Sequence, residues 1–400
     1  MKLHDLLVLT SAFPFESDYR GIFIKEQLNS ICSEFEKINI ISPLSYFPQF
    51  LLNSEYFRKY SGYREWPKNY SYNNVNVFFP KYFPLPPNYL NKTRLPLNKL
   101  AINGVLDRRM INFDLIHAHF VLPSGYVGAS LKEKFDKPLI VTAHGGDIYS
   151  EPFKNKKSLK LTKFVLDRCD KIITTSERNK IIITKKFMIQ KEDVSIIRNG
   201  YDERIFAPMD KNNARNQLSL KKNSKIILCI GNLIDVKGHK YLIQSMKKIV
   251  SHIIDVHCII IGRGDKIKLK MQIENEGLNN NISIINGVPH QEIPFWINAC
   301  DLFVLPSLDE GFPTVIPEAL GCGKPVVATS VGGIPEIINR KFLGLLVEKE
   351  NYSELADSIL MALQKDWDFD RISNYAKKNY TWDIISKEIL NIYKSVVEEY

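Results

Sequence analysis

The sequence predicts an α/β protein of two doubly wound domains, each a parallel sheet with helices on both faces. Three observations carry this expectation. The chain has 400 residues, long for one hydrophobic core, so two domains are the default. Short apolar runs such as Asp301-Leu-Phe-Val-Leu305 recur, each stopping at a loop that leads into an amphipathic segment. Such alternation marks buried parallel strands joined by helices. The series is written twice in tandem, and no shorter repeat or low-complexity segment accompanies it.

Composition narrows the class. Hydrophobic residues make up 44% and charged residues 24%, ordinary values for a soluble globular protein. Cysteines 32, 169, 229, 258, 300 and 322 are scattered without a C-x-x-C pair. They read as reduced, buried thiols of a cytosolic protein, with neither a disulfide framework nor a metal site. The start, Met1–Thr10, is expected to be a first strand, because it is too short and interrupted for a signal peptide. No apolar run approaches the ~18 residues of a membrane span. The net charge of +10 admits nucleic acid, an anionic membrane surface or a small phosphorylated ligand. Nucleic acid is the weakest of these, since no helix-turn-helix, zinc finger or RNA-stacking pattern is visible. A cytoplasmic protein is expected, with peripheral contact at the inner membrane face as an option.

In chain order, Leu6–Leu9 is a strand, Thr10–Gly21 a loop, and an amphipathic helix starts at Ile22, so Gly21 stands at a helix start. Residues 46–110 interrupt the alternation and are rich in Tyr, Phe and Pro. There Arg58, Lys59, Arg64, Lys68, Lys81, Lys92, Arg94, Lys99, Arg108 and Arg109 outnumber Glu55, Glu65 and Asp107. Aromatics between cations suit the headgroup level of an anionic bilayer; a solvated insertion over packed aromatics is the alternative. Phe113–His119 is a strand ending in His117-Ala-His119, and Lys137–His144 is the next, ending in His144-Gly-Gly-Asp147. Adjacent parallel strands would deliver His119, His144 and Asp147 to one carboxyl-end crevice. His117 and His119 share a strand face, which raises a zinc site, but nothing supplies further ligands at metal spacing. Lys171–Thr175, with Ser176 opening a helix, and Val194–Asp202 complete the first series. Asp210–Ser224 reads as the linker region.

The second series opens at Lys225–His239, which contains Gly231-Asn232 and Lys237-Gly238. Val256–Asp265 is a strand with a Gly262-Arg263-Gly264 turn, and Asn286–Pro294 follows the next strand. The stretch Pro306–Thr329 organises the rest. Its strand stops at Pro306, a loop carries Glu310 and Gly311, and Thr314 is the expected helix N-cap, with Pro317 tolerable in the first turn. The helix runs to about Gly321, and Pro325–Ala328 is the next strand. Glu310 therefore sits off a strand's carboxyl end, and Glu318 one turn into the helix. Helix-start amides favour an anion there, while two carboxylates ask for hydroxyls. A ligand with sugar, phosphate and ribose satisfies both, which suggests a nucleotide sugar. Either Glu alone reads equally well as a helix-start acid favoured by the macrodipole.

With seven residues between them, Glu310 and Glu318 resemble the E-x7-E signature of the group 1 retaining nucleotide-sugar glycosyltransferases. The resemblance covers nearly the full chain. It implies a GT-B fold of two doubly wound Rossmann-like domains facing across a cleft: residues 1–205 on the acceptor side, with a final helix at about 381–400 packing back on it, and 206–380 binding the nucleotide sugar. It also implies that Glu318 bonds the ribose hydroxyls, and that Glu310 and the amides of Gly311, Thr314 and Val315 hold the transferred sugar and phosphate. Gly21 matches a glycine whose missing side chain admits the diphosphate. Lys237 and Gly238 match G-R-L-x-x-x-K-G, whose Lys clamps the diphosphate, but Asn232 stands where the family carries Arg. A bidentate phosphate donor is thereby exchanged for neutral hydrogen bonds.

By the same resemblance Arg263 lies beside the nucleotide and Val288 in the loop whose backbone reads the base. His119, His144 and Asp147 line the acceptor side, and Glu310, Lys237 and His144 serve the chemistry. The implied reaction is hexosyl transfer with retention from a nucleoside-diphosphate sugar to a hydroxyl of a glycan or lipid-linked acceptor; the basic aromatic stretch 46–110 points to a lipid carrier at the inner membrane face, in surface polysaccharide synthesis. Neither metal nor cofactor is expected, because Lys237 and helix-start amides can stabilise the departing diphosphate. The rivals are a nucleotide-sugar epimerase on the same fold and a non-catalytic partner protein that keeps it.

Overall fold

The computed structural model describes residues 3–16, 18–47, 63, 65–83 and 90–400. The chain forms two compact units, Met1–Arg198 with Ile385–Tyr400, and Asn199–Ile384. The sequence places the boundary after residue 205 and the return at about 381; the units divide earlier and rejoin later. Backbone pairing explains the difference. Tyr201 N–H donates to the Tyr380 carbonyl at 2.9 Å, and Trp382 N–H to the Tyr201 carbonyl at 3.2 Å. Gly200 lies against Trp382, where a Cβ would approach the indole to 2.6 Å. Both crossing segments thus fold with the second unit.

The first unit contains β1 (Leu6–Thr10), β2 (Ile38–Ile41), β3 (Leu44–Ser45), β4 (Asn69–Tyr72), β5 (Val75–Phe78), β6 (Lys81–Tyr82), β7 (Leu115–His119), β8 (Leu139–Ala143), β9 (Lys171–Thr174) and β10 (Val194–Ile196). Eight of these form one sheet in the order β10-β9-β8-β7-β1-β2-β5-β4, parallel except for β4 against β5. The order reverses between β1 and β7, so the loops after both open at the carboxyl edge. Thr10 pairs with His119, and His119 with Thr142, which aligns those strand ends. β1, β7 and β8 are buried along their full length, as their apolar runs require. One face packs Leu7, Leu9, Ile116, Ala118, Val141 and Ala143 into a core. The other carries His117, against which the terminal helix Trp382–Glu399 lays the buried Tyr393.

Residues 46–110 are more than an insertion. Their described part supplies β4, β5 and β6, and the helix Leu90–Arg109 packs Ile102, Val105 and Leu106 into the core. Glu55, Arg58, Lys59 and Arg64 of the expected membrane surface lie outside the described residues. Among the described residues, no helix is long and apolar enough to cross a membrane.

The second unit contains β11 (Lys225–Ile230), β12 (Val256–Ile261), β13 (Ile282–Ile285), β14 (Leu302–Leu305), β15 (Val326–Thr329) and β16 (Gly344–Val347), all parallel, in the order β13-β12-β11-β14-β15-β16. Here the order reverses between β11 and β14. The stretch read as a linker is built into this unit: it holds a helix, Lys211–Gln217, whose Arg215 is 1% exposed. Arg215 Nε donates to the Ala299 carbonyl at 2.9 Å and a terminal nitrogen to Asp301 at 2.7 Å. A polar sequence can serve a core when its polar groups are internally satisfied. All six cysteines are free thiols, four buried and two half-buried.

Candidate functional site

In the second unit the two loops at the reversal are joined backbone to backbone. Lys237 ends one short turn, Asp235–Lys237, which Gly238 terminates at φ 66°. A Cβ on Gly238 would lie 1.9 Å from the Pro306 carbonyl oxygen, so only glycine fits. Leu308 N–H donates to the Val236 carbonyl at 2.7 Å. This contact brings Lys237 to Glu310: Nζ lies 2.6 Å from Oε1, and Ser307 Oγ donates to the same oxygen at 2.7 Å. Glu310 is 8% exposed. Gly332, at φ 56°, braces the loop from below, where a Cβ would meet the Glu310 carbonyl oxygen at 1.7 Å. Gly333 N–H completes the brace by donating to the Gly311 carbonyl at 3.0 Å.

Glu318 is buried in the helix Val315–Gly321, whose expected cap behaves differently. Thr314 already has helical dihedrals and its hydroxyl makes no capping bond; its carbonyl accepts from Glu318 N–H at 3.1 Å. Pro313 and Thr314 therefore belong to the helical turn itself. Glu318 Oε1 stands 4.0 Å from His290 Nε2, and Phe206 meets the His290 ring edge-on with centroids 5.4 Å apart. The sequence reading missed His290, although it follows Val288 by two residues in the loop after β13.

Arg263 and Val288 are brought close by two glycine contacts. A Cβ on Gly262 would lie 1.9 Å from the Gly231 carbonyl oxygen, and one on Gly287 would lie 2.5 Å from Arg263 Cγ. The Arg263 side chain thus crosses Gly287, next to the half-buried Val288. Asn232 is exposed, and its carbonyl accepts from His239 Nε2 at 3.1 Å. Burial holds His239 below its ordinary pKa. Asn232 contributes its backbone to the loop.

In the first unit, Gly21 stands at φ 76°, where a Cβ would lie 2.3 Å from the Ala12 carbonyl oxygen. The glycine is therefore required by its own loop, whatever ligand comes near. His119 Nδ1 and His144 Nε2 are 3.0 Å apart, with the rings inclined by 16°. Phe23 and Phe120 flank His144, with centroids at 4.9 and 4.8 Å. Both nitrogens of His117 are engaged, Nδ1 with the Tyr393 hydroxyl at 2.6 Å and Nε2 with Thr142 Oγ1 at 2.7 Å.

Burial pushes His117 and His144 down to about 3 and His119 well below its ordinary value, so all three are neutral at pH 7. Burial raises the pKa of Asp147, and backbone hydrogen bonds oppose that rise. Its oxygens accept from Val121 N–H at 3.0 Å and Gly145 N–H at 2.8 Å. Asp147 thus ties the loop after β8 to the loop after β7. Among the described residues, no three His, Cys, Asp or Glu side chains converge as a metal would need.

Comparison with known proteins gives two family matches: residues 210–379 match the glycosyl transferases group 1, and 61–204 match glycosyltransferase family 4. An uncharacterized glycosyltransferase of Methanocaldococcus jannaschii is 31% identical over 316 residues, 75% of this chain and 78% of that protein. A putative teichuronic acid biosynthesis glycosyltransferase of Bacillus subtilis is 26% identical over 88% of each chain. Among solved structures, sucrose-phosphate synthase from Thermosynechococcus elongatus aligns with a TM-score of 0.81 at 19% identity, covering 99% of this chain and 100% of the other. An Anabaena protein, HepE, solved with UDP-glucose aligns with a TM-score of 0.73 at 21% identity, covering 98% and 99%. These structural likenesses show the GT-B fold.

Proposed function

Because this chain belongs to the group 1 glycosyltransferases, we propose that it moves a hexosyl unit, with retention, from a nucleoside-diphosphate sugar to a hydroxyl of a glycan or lipid-linked acceptor, in surface polysaccharide synthesis. The observation that supports this most is the Lys237–Glu310 pair at the strand-order reversal, 2.6 Å apart. Glu310 Oε1 is held by Lys237 and Ser307, which leaves Oε2 to accept from a sugar hydroxyl. Glu318 accepts from the ribose hydroxyls, and Val288 and Arg263 flank the base and phosphate. The Gly311, Thr314 and Val315 amides and the Lys237 ammonium stabilise charge as it grows on the leaving diphosphate.

The bond from the anomeric carbon to the diphosphate oxygen breaks as the bond to the acceptor oxygen forms. The acceptor proton goes to the leaving phosphate. No metal or cofactor is given a role. His144, packed between Phe23 and Phe120 in the loop braced by Asp147, is assigned to the acceptor or the transferred sugar. The B. subtilis relative's teichuronic acid role and the UDP-glucose of the Anabaena structure lend support to a surface polymer and a UDP-sugar. For a lipid-linked acceptor we retain the anionic membrane surface of residues 46–110, whose described cations are Lys68, Lys81, Arg94, Lys99, Arg108 and Arg109.

The test is a panel of nucleoside-diphosphate sugars, scored for nucleotide release with and without glycan acceptors, with product anomers read by NMR. Release that depends on acceptor, with the donor's anomeric configuration kept, is expected. A donor at about 100 times its Kd stabilises the fold by about 2.7 kcal/mol. Conversion of the sugar without acceptor would point to an epimerase. Neither release nor stabilisation across the panel would overturn the proposal.

A further inference from the structure

The first unit carries three imidazoles in a row, His117 and His119 buried and His144 half-buried, and one hydrogen bond joins two of them. β7 and β8 pair His119 with Thr142. His144, two residues beyond Thr142, therefore continues on the face of His119. Their contact, Nδ1 of His119 to Nε2 of His144 at 3.0 Å, is a bond between neutral rings. Such a bond holds one proton, on one nitrogen or the other, and that choice sets both tautomers.

The two choices differ in which donor is stranded. Among the described residues, neither His119 Nε2 nor His144 Nδ1 has a hydrogen-bond partner, and both atoms are shielded from solvent. If His144 donates, the single proton of His119 sits on Nε2, inside a residue that is 0% exposed. If His119 donates, its Nε2 keeps only a lone pair, and the unmatched N–H falls on His144 Nδ1. A buried N–H without an acceptor is rarer and costlier than an unmatched acceptor. The first choice buries that donor beyond reach. The second puts it on the less buried of the two residues, the half-buried His144 at the carboxyl edge, two positions before Gly146, where a Cβ would meet nothing within 4 Å. His117 supports His119 from behind: its ring lies 4.2 Å from the His119 ring, and Tyr393 and Thr142 hold it at both nitrogens.

We infer that His119 is a positioning residue: its Nδ1–H donates to His144 Nε2 and fixes His144 as the Nδ1–H tautomer. His144 is thereby a hydrogen-bond donor to a hydroxyl or phosphate oxygen of the substrate, and not a base. This assignment rests on the role proposed above for His144.

Two measurements test it. In protein labelled with 15N-histidine, long-range proton–nitrogen spectra at neutral pH should show protonated Nδ1 and bare Nε2 for both His119 and His144. Their signals are assigned with His119→Asn and His144→Gln. In transfer assays, His119→Asn, whose amide can donate from the place of Nδ1, should keep kcat within about threefold, while His119→Leu lowers it by about tenfold or more at unchanged donor KM. A proton on His144 Nε2 overturns the inference, as does an Asn variant no better than Leu. Full transfer by His144→Ala instead removes the role of His144, while the spectra judge the tautomer on their own.

Discussion

Lys237 and Glu310 stand 73 residues apart in the chain and 2.6 Å apart in space. They meet because the sheet order reverses between β11 and β14, so loops from the two halves of the unit close on the same spot. A carboxylate and an ammonium at that distance hold each other in place. A diphosphate arriving there meets an ammonium already oriented.

From this pair follows a split between turnover and affinity. Stabilisation by Lys237 should grow as charge develops on the leaving diphosphate. Lys237→Ala is expected to lower kcat by roughly 100-fold or more and donor affinity by much less. Calorimetry beside steady-state kinetics reads both quantities. Equal losses would make Lys237 a binding residue only.

Glu318 should behave differently. As an acceptor for ribose hydroxyls it contributes to donor and free nucleoside diphosphate alike. Glu318→Ala should weaken both by about 1.5–3 kcal/mol, the range for a hydrogen bond to a charged group. Unchanged nucleotide affinity in calorimetry would remove it from the site.

Gly21 has a requirement of its own, at φ 76° with the Ala12 carbonyl oxygen where a Cβ would go. Gly21→Ala should therefore lower stability by about 1–3 kcal/mol, visible as a fall in Tm without any ligand. A variant with the parent Tm and weakened donor binding would show instead that the glycine serves the diphosphate.

The histidines of the first unit make its stability depend on pH. In the folded protein, burial holds His117 and His144 at about 3; unfolded, each titrates near 6.5. Between these values the unfolded chain binds more protons, so stability is fully present above about pH 6.5 and falls as the pH drops toward 3. Each such histidine adds up to about 1.4 kcal/mol per pH unit to the slope. Urea unfolding at pH 7, 6 and 5 should show it, and His117→Gln should remove about one proton's worth. An identical slope in that variant would contradict the assignment.

Much of the architecture was legible because buried parallel strands are locally apolar. Leu6–Thr10, Leu302–Leu305 and Val326–Thr329 stand out as uninterrupted runs, and their loops place Glu310 and His119 at strand ends without reference to anything distant. The Lys237 loop was visible through its resemblance to G-R-L-x-x-x-K-G, a motif that lies within one local window. Chain direction and alternation then determine two tandem sheets with carboxyl edges rich in chemistry.

The tertiary structure alone decided what those edges bring together. Strand order is not encoded in any local window, so the contacts of Lys237 with Glu310 and of His290 with Glu318 had to come from packing; for His119 and His144, which the sequence places in one crevice, packing supplied the 3.0 Å hydrogen bond. Polarity misleads in the same way: Arg215 looked like a linker residue because its partners, Ala299 and Asp301, lie more than eighty residues away. Asp147 looked like a ligand group, yet its oxygens bond backbone amides of two loops. A residue type declares which hydrogen bonds it can make, and only the folded chain determines which of them are already taken.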